Sequence, residues 1–234
     1  MRCFPGVRPL RSSSGAPDVQ PQKMEDLKIV QFSSMHKELS DRTPRRVIMK
    51  GWFQEYLPFS QVKDEVKQAL ALNPSCCRGV APGPGDVVIH YRNYRGELSE
   101  RQYANLHFRD LSPEYYDKVL KGIRLGDGGS PCKVWVVGQY ADQDPVIAKL
   151  REKQDIITLN DKDRDMFQDF CFLTQADHLV MATSTYSWWA AFLGNASQVH
   201  FPKQRAPGVT DKKIVVRDDP RYVYHSMTGE VVKP

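Results

Sequence analysis

The segment from residue 179 to residue 193 constrains the fold more than any other part of the chain. An apolar run at 179–182 is typical of a buried strand, and Thr-Ser-Thr-Tyr-Ser-Trp-Trp follows it directly at 183–189. The hydroxyl side chains come where the strand ends and a helix begins, and such helix starts bind anions through hydroxyl and backbone N–H groups. The segment therefore predicts a strand–turn–helix unit with an anion site at its turn.

A second strand with a polar end lies at residues 86–92, where Asp-Val-Val-Ile-His-Tyr-Arg delivers His90 and Arg92 to the carboxyl end. In parallel α/β proteins, ligands bind outside the carboxyl ends of the strands. Two strands that both end in groups suited to phosphate indicate a nucleotide or nucleotide-sugar site. The alternatives are a surface salt bridge for Arg92 and an ordinary core histidine for His90.

Strand and helix patterns alternate from residue 86 onward. Ser112 is a predicted N-cap, and Pro113 opens a helix that ends at the glycines beginning with Gly126. The predicted strands are 87–91, 134–137, 156–157, 178–182 and 199–201, and further helices are predicted near 145–152 and 164–174. This alternation favours an α/β fold with a parallel sheet that helices cover on both faces.

Composition narrows the possible partners. The chain has 234 residues, of which 41% are hydrophobic, and a formal net charge of +5. That length can bury one sizeable core or two small ones. The mild basic balance fits an anionic ligand but also an ordinary soluble surface. No zinc-finger, homeodomain or RNA-binding aromatic motif occurs, so no nucleic-acid partner is predicted.

The cysteines and the N-terminal segment bear on the compartment. The five cysteines show no metal-ligand spacing, so no zinc site is predicted. Their odd number argues against a complete disulfide framework and leaves room for one bond in a secretory lumen. No apolar run approaches the roughly 20 residues of a membrane helix. The Arg- and Ser-rich start of the chain is compatible with a transit peptide, lacks the apolar stretch of a secretory signal, and is more simply a disordered leader.

Three stretches of the chain resemble motifs of one enzyme family. Residues 169–193 are similar to the C-terminal motif of the alpha-1,2-fucosyltransferases, glycosyltransferase family 11, which contains Asn-Ser-Ser/Thr-Phe-Ser-Trp-Trp. Residues 51–56 resemble an aromatic segment of that family, and residues 86–92 resemble its His-x-Arg-Arg-Gly-Asp strand, followed by a similar helix start at 111–116. The resemblance covers about 47–205.

The resemblance implies a GT-B-like fold, with a parallel Rossmann-like sheet as its nucleotide-sugar-binding half and a reduced N-terminal part. It implies inverting, metal-independent transfer of fucose from GDP-fucose to a galactoside hydroxyl of a glycan, with GDP-fucose as donor substrate and no cofactor. It also implies a Golgi or secretory address, whereas the absence of a visible signal or anchor favours the cytoplasm. The predicted divisions are a leader at 1–24, a partial N-terminal region at 25–85, a Rossmann-like donor-binding domain at 86–216 and a tail at 217–234.

The matching positions define candidate site residues. By the resemblance, an Arg and a Ser/Thr cluster hold the diphosphate, although helix capping alone would explain one or two of the hydroxyls. Asn93 and Arg95 stand where the family has its second Arg and its Asp. The predicted donor-binding residues are His90, Arg92, Arg95, Thr183, Ser184, Thr185 and Ser187.

The catalytic base is not identified by the sequence. Glu97 and Asp110 are candidates only because they lie near the loop of the first strand. The family's glycine-rich N-terminal segment is also missing from the chain. These departures leave open a catalytically inactive nucleotide- or glycan-binding relative, or a truncated fragment.

Three further motifs have simpler interpretations. Trp188 and Trp189 are expected in the core rather than against a sugar. The acidic triplets at 142–144 and 161–163 are expected in loops or helix caps rather than at a metal, because Asp is common in both settings. The triplet at 195–197, Asn-Ala-Ser, is a formal N-glycosylation sequon, and its place after a helix expected to be buried argues against its use.

Overall fold

The computed structural model describes residues 27–31, 46–50, 56–60, 62–73, 75, 77–104, 110–126, 133–138, 143–159, 164–203, 216 and 218–234. The strands are β1 (Leu27–Gln31), β2 (Arg46–Lys50), β3 (Val87–His90), β4 (Val134–Val137), β5 (Ile156–Thr158), β6 (His178–Val180), β7 (Gln198–Pro202) and β8 (Tyr222–His225). The helices are α1 (Tyr56–Ser60), α2 (Lys63–Ala69), α3 (Tyr94–Glu97), α4 (Glu100–Ala104), α5 (Pro113–Gly126), α6 (Pro145–Arg151), α7 (Met166–Thr174) and α8 (Thr185–Leu193).

Six strands form one parallel sheet in the order β5-β4-β3-β6-β7-β8. Counted from β3, this is the order 3-2-1-4-5-6 of dinucleotide-binding folds. In its register, Val87 lies opposite both Val134 of β4 and His178 of β6. The predicted α/β class with a parallel Rossmann-like sheet is confirmed, and β1 and β2 pair in a separate two-stranded parallel sheet.

The central strands of the sheet, β3, β4 and β6, are buried on both faces because they are short, largely apolar runs. Every residue of β3 and β4 is buried, as expected of parallel strands covered on two sides. Successive residues alternate between two cores: Leu179 packs with the aromatic residues of α7 and α8, whereas Val180 packs with α5 and α6. Trp188 is fully buried in the first of these cores, as predicted.

Two aspartates fix the starts of helices that lead from one strand to the next. The Asp144 carboxylate accepts a hydrogen bond from the Val146 N–H and caps α6, with Pro145 at the first helical position. Asp165 caps α7 in a reciprocal capping box with Gln168. The cap interpretation of the first acidic triplet is therefore confirmed for Asp144, while Asp142 and residues 161–163 lie outside the described residues.

The C-terminal segment completes the sheet. β8 lies within 217–234, the segment for which the sequence predicts a tail, and pairs with β7 through Val199 opposite Tyr222. The Tyr-Val-Tyr alternation of β8 places two aromatic rings in the core. The strand has only four residues, which is too short for its periodicity to be recognised in the sequence. The predicted leader at 1–24 lies outside the described residues.

One disulfide joins distant parts of the chain. Cys77, in the loop before β3, is bonded to Cys171 of α7, with 5.3 Å between their Cα atoms and a sequence separation of 94. The bond therefore holds α7 against the loop that enters the central strand. Within the part of the chain that the structure describes, no helix has the length and apolar character needed to cross a bilayer.

Candidate functional site

His90, Arg92 and the start of α8 come together at the centre of the sheet. β3 and β6 are neighbours, and the strand order runs outward from them in opposite directions. Such a reversal opens a crevice at the carboxyl ends of the two strands, where α/β proteins bind their ligands. His90 ends β3 and Arg92 follows it, while residues 183–187 follow β6 and begin α8. The two sequence motifs thus form opposite walls of one crevice.

Tyr94 connects the two walls. Its hydroxyl donates a 2.6 Å hydrogen bond to the Thr183 carbonyl oxygen, and the Arg92 guanidinium lies 5.1 Å from the centre of its ring. The cation–π contact holds a positive charge beside the residues at the start of α8. No sequence signal identified Tyr94, because its partner is 89 residues away.

His90 contributes a neutral imidazole to the crevice. The side chain is 5% exposed, and burial, with a smaller effect of the Arg92 charge, lowers its pKa to about 3. Its ring lies 5.4 Å from the Tyr186 ring. His90 Nδ1 has no hydrogen-bond partner within the described residues, so the ring is neither a second cation nor an ordinary satisfied core histidine.

The hydroxyls at the start of α8 divide into two pairs. The Ser184 hydroxyl accepts a hydrogen bond from the Tyr186 N–H as the N-cap, and Ser187 donates to the carbonyl oxygens of Ala182 and Ser184. Both serines are buried, which corrects the prediction for Ser187: its hydroxyl is turned back into the turn. Thr183 and Thr185 are half-buried, and they remain the side chains that can face an anion.

The loop after β3 places the remaining candidates away from Arg92. The Arg95 side chain is exposed, with its guanidinium 5.0 Å from the centre of the Tyr103 ring. The Asp110 carboxylate accepts hydrogen bonds from the backbone N–H groups of Tyr94 at 2.7 Å and Arg95 at 3.3 Å. Asp110 therefore positions this loop, which is a different role from that of the predicted base. The side chain of Glu97 lies outside the described residues.

A second set of contacts ties the β3 loop to the β4 loop. Asn93, at the second-Arg position of the motif, donates through its amide to the Asp144 carboxylate. Asp144 is 6% exposed and also hydrogen-bonds to Tyr91, whose pKa is raised by burial and, secondarily, by that carboxylate. A Cβ on Gly138 would lie 2.2 Å from the Tyr91 carbonyl oxygen. The close approach of the two strand ends therefore requires glycine at 138.

An open apolar groove of about 390 Å³ begins where the crevice ends. Tyr186 separates the two, because its ring contacts His90 and its hydroxyl donates to the Met166 carbonyl oxygen. Met166 and Phe167 are 64% and 37% exposed, which is unusual for side chains of their size. The groove is lined by Leu70, Met166, Phe167, Phe170, Thr185, Tyr186, Trp189 and Leu193.

The acidic and cysteine residues of the described segments form no metal centre. No group of three or more His, Cys, Asp or Glu side chains among the described residues is arranged to hold a metal ion. Asp144 is engaged as a cap and Cys77 and Cys171 are bonded to each other.

The comparison with known families bears on this crevice directly. The model of Glycosyl transferase family 11 matches residues 142–209, which span α6 to β7 and include the start of α8. The resemblance to glycosyltransferase family 11 is confirmed over these residues. No curated protein matches the sequence.

The solved structures that the comparison matches to this chain include three of POFUT1. The first, in complex with GDP, has 15% sequence identity and a TM-score of 0.38, covering 69% of this chain and 55% of the other. A second GDP complex has 12% identity and a TM-score of 0.41, covering 90% and 75%. A complex with GDP-fucose has 12% identity and a TM-score of 0.40, covering 92% and 77%. The chain thus spans about half the length of the first of these structures.

Proposed function

We propose that the chain binds GDP-fucose in the crevice between β3 and β6 and transfers fucose to a hydroxyl of a galactoside-containing glycan. The reaction is an inverting displacement that uses no metal ion. The observation that carries the proposal is the convergence of Arg92 and the start of α8 at the reversal point of the strand order. The family match at 142–209 supports glycosyl transfer, and the resemblance to family 11 supports fucose as the sugar.

In this proposal the crevice acts on the leaving group. The acceptor oxygen attacks C1 of fucose and its hydroxyl proton passes to water, while the bond from C1 to the phosphate oxygen breaks and GDP departs with the electron pair. Negative charge grows on the β-phosphate, and fixed donors aimed there stabilise the transition state. Arg92 supplies a permanent positive charge, and its guanidinium can donate two parallel hydrogen bonds to a phosphate. The N-terminal turn of α8 supplies backbone N–H groups and the positive end of a helix dipole.

The other crevice residues act by holding this arrangement. Tyr94 fixes Arg92 relative to Thr183, and Asp110 fixes the backbone of Tyr94. His90 is neutral at physiological pH because its pKa is lowered to about 3. It therefore adds no charge to the diphosphate and packs against Tyr186 at the crevice wall.

We place the acceptor in the apolar groove at the start of α8. The groove adjoins the crevice, because Thr185 at the start of α8 lines it, so an acceptor there lies beside the leaving group. Aromatic walls with few polar atoms suit the C–H face of a sugar ring. Exposed Phe167 and half-buried Trp189 offer ring faces of this kind.

A second candidate function is GDP binding without turnover. Two contacts favour it: Asn93 replaces an Arg and is engaged with Asp144, and Asp110 is engaged with the loop backbone. A site that keeps Arg92 and the α8 turn but lacks a free base would bind the nucleotide and transfer nothing. Binding and transfer are therefore measured separately.

Calorimetric titration with GDP in the presence of EDTA tests the proposed binding, with UDP as the competing nucleotide. We expect GDP to bind and Arg92→Ala to weaken binding by about tenfold or more, since a charge-assisted hydrogen bond contributes about 1.5–3 kcal/mol. Arg95→Ala is the matched control, because it removes the same charge from an exposed side chain on Tyr103. Equal loss in both variants would indicate a diffuse electrostatic effect and contradict the assigned role of Arg92.

Transfer of labelled fucose to a galactoside then separates the two candidates. Transfer that Arg92→Ala abolishes supports the enzyme, whereas tight GDP binding with no transfer to any galactoside supports the binding module. No GDP binding by a chain that unfolds cooperatively would overturn both. A Phe167→Ala variant should raise the acceptor KM and leave the Kd for GDP unchanged if the groove holds the acceptor.

A further inference from the structure

The turn between α8 and β7 carries a glycosylation sequon that the proposed transfer reaction does not use. Asn195-Ala196-Ser197 is the one valid sequon in the sequence, because Pro74 disqualifies the triplet that begins at Asn73. α8 is buried, as the sequence predicts, but it ends at Leu193, and Asn195 is exposed. Within the described residues, the Asn195 side chain makes no hydrogen bond.

The backbone on both sides of Asn195 is held in place. The Arg221 guanidinium donates to the carbonyl oxygens of Gly194 at 3.2 Å and Ala196 at 3.3 Å. On the far side, Ser197 donates through its N–H and its hydroxyl to the Asp177 carbonyl oxygen. These bonds fix the turn while the Asn195 amide extends into solvent, so a substituent on that amide disturbs none of them.

The surface beside Asn195 has room for a bulky polar group. An open cleft of about 390 Å³ lies next to it, lined in part by Lys67, Thr174 and Gln175. Cys77, half of the disulfide to Cys171, lines the same cleft. Disulfides persist in oxidising compartments such as the secretory lumen, and N-linked glycans are a modification of secreted proteins. Two independent features thus indicate the same compartment.

We propose that Asn195 carries an N-linked glycan, added in an oxidising secretory lumen where the Cys77–Cys171 bond forms. The donor is a lipid-linked oligosaccharyl diphosphate. The Asn195 Nδ2 atom forms a bond to the anomeric carbon of the oligosaccharide, the bond from that carbon to the diphosphate oxygen breaks, and the lipid diphosphate leaves with the electron pair. The amide proton passes to a base of the transferring enzyme.

The glycan lies on the opposite side of the sheet from the nucleotide crevice. The turn at 194–197 precedes β7 and so lies at the amino ends of the strands, whereas the crevice lies at their carboxyl ends. A five-residue strand such as β7 separates the two edges by about 16 Å. The glycan therefore leaves GDP binding unchanged, whereas the cleft beside Asn195 shares Leu70 and Leu193 with the proposed acceptor groove. GDP binding is thus the readout that separates this proposal from the proposed function.

The test is expression of the full chain with its own N-terminus in cultured eukaryotic cells, followed by treatment with a peptide-N-glycosidase. We expect a mobility shift on treatment, with conversion of Asn195 to Asp in the peptide mass spectrum and the Cys77–Cys171 peptide present in the same digest. Asn195→Gln and Ser197→Ala should abolish the shift. Ser197→Thr should keep it, since Thr preserves the sequon.

Each outcome decides the proposal. A Cys77–Cys171 peptide accompanied by unmodified Asn195 overturns it, because the chain then reached an oxidising compartment without being glycosylated. A chain with neither modification overturns it as well, because the proposal requires entry into that compartment. Asn195→Gln should bind GDP with the wild-type Kd, and loss of GDP affinity in that variant would contradict the separation of the two sites.

Discussion

Acidification from pH 7 to pH 5 should destabilise the fold by several kcal/mol, because two of its histidines are kept neutral by burial. His90 and His200 are 5% and 3% exposed, and burial is the main reason that the pKa of each falls to about 3. The Arg92 charge adds to the effect at His90, and His225 adds to it at His200. His200 Nδ1 lies 3.0 Å from His225 Nε2, so protonating both rings would place two charges in contact.

The size of the effect follows from proton linkage. A histidine in the unfolded chain titrates near 6.5, so below that pH the unfolded state binds more protons than the folded state. The stabilisation is complete above pH 6.5 and is lost as the pH falls toward 3, at about 1.4 kcal/mol per pH unit for each histidine. At pH 5 each histidine lowers the unfolding free energy by about 2 kcal/mol, and the pair lowers it by about 4 kcal/mol. The total unfolding free energy of a typical protein is about 5–15 kcal/mol.

The aspartates with lowered pKa values, such as Asp219 and Asp117, titrate below this pH range. The pKa of Asp219 is lowered by hydrogen bonds from Arg221 and Lys63 that outweigh its desolvation, and the pKa of Asp117 is lowered chiefly by Lys121. Their stabilisation is present above the ordinary aspartate pKa of 3.8 and is lost only below it. A change in the unfolding free energy between pH 7 and pH 5 therefore measures the contribution of histidines.

Urea unfolding at pH 7, 6 and 5 and constant ionic strength measures the loss. His90→Gln and His200→Gln should each remove about 2 kcal/mol of the pH dependence, whatever their effect on stability at pH 7. The double variant should leave only the contribution of other histidines such as His225, whose pKa is also lowered by burial. Equal wild-type stability at pH 7 and pH 5 would refute the reasoning, because it would mean that these rings take up protons in the folded state.

Three further substitutions test the contacts that hold the site. Tyr94→Phe removes only the hydroxyl bonded to Thr183, and should lower stability by about 1 kcal/mol and weaken GDP binding severalfold by calorimetry; wild-type behaviour in both would contradict the link between the two walls. Cys77→Ser should lower the unfolding free energy by about 3–4 kcal/mol under oxidising conditions, with most of that difference gone once wild type is reduced. Asp144→Ala should lower the unfolding free energy by about 2 kcal/mol in thermal melts. A loss of less than about 0.5 kcal/mol would indicate that water replaces the capping carboxylate.

The fold was predictable to the extent that local patterns repeat along the chain. Apolar runs such as 87–91 and 178–182 are short enough to be strands, and the intervening segments have helix caps, such as Pro113 after Ser112. Alternation of strands and helices implies parallel strands, and the carboxyl ends of parallel strands lie together at the same end of the sheet. His90 and Arg92 were therefore recognisable as site candidates before their neighbours were known.

The contacts that complete the site have no local signal. The bond from Tyr94 to Thr183 spans 89 residues and that from Asn93 to Asp144 spans 51, and each depends on the packing of two loops. For the same reason, nothing in the sequence distinguishes Cys77 from its neighbour Cys76 as the partner of Cys171. The sequence shows hydroxyl side chains of the same kind at 183, 184, 185 and 187. Only the geometry of the turn determines that Ser187 is buried and that Thr185 is not.

The pinning of the 194–197 turn by Arg221 has a consequence for the order in which the chain is made. Arg221 and the β8 strand that follows it are synthesised after Asn195, and domains fold as units once enough of the chain has emerged. Until Arg221 appears, the carbonyl groups of Gly194 and Ala196 lack this donor, so the turn that carries the sequon is not yet fixed by these two bonds. Lengthening the segment between β7 and β8 would therefore delay the formation of the hydrogen bonds from Arg221. The oligosaccharide-transferring enzyme would then have more time to reach Asn195 before the turn is fixed.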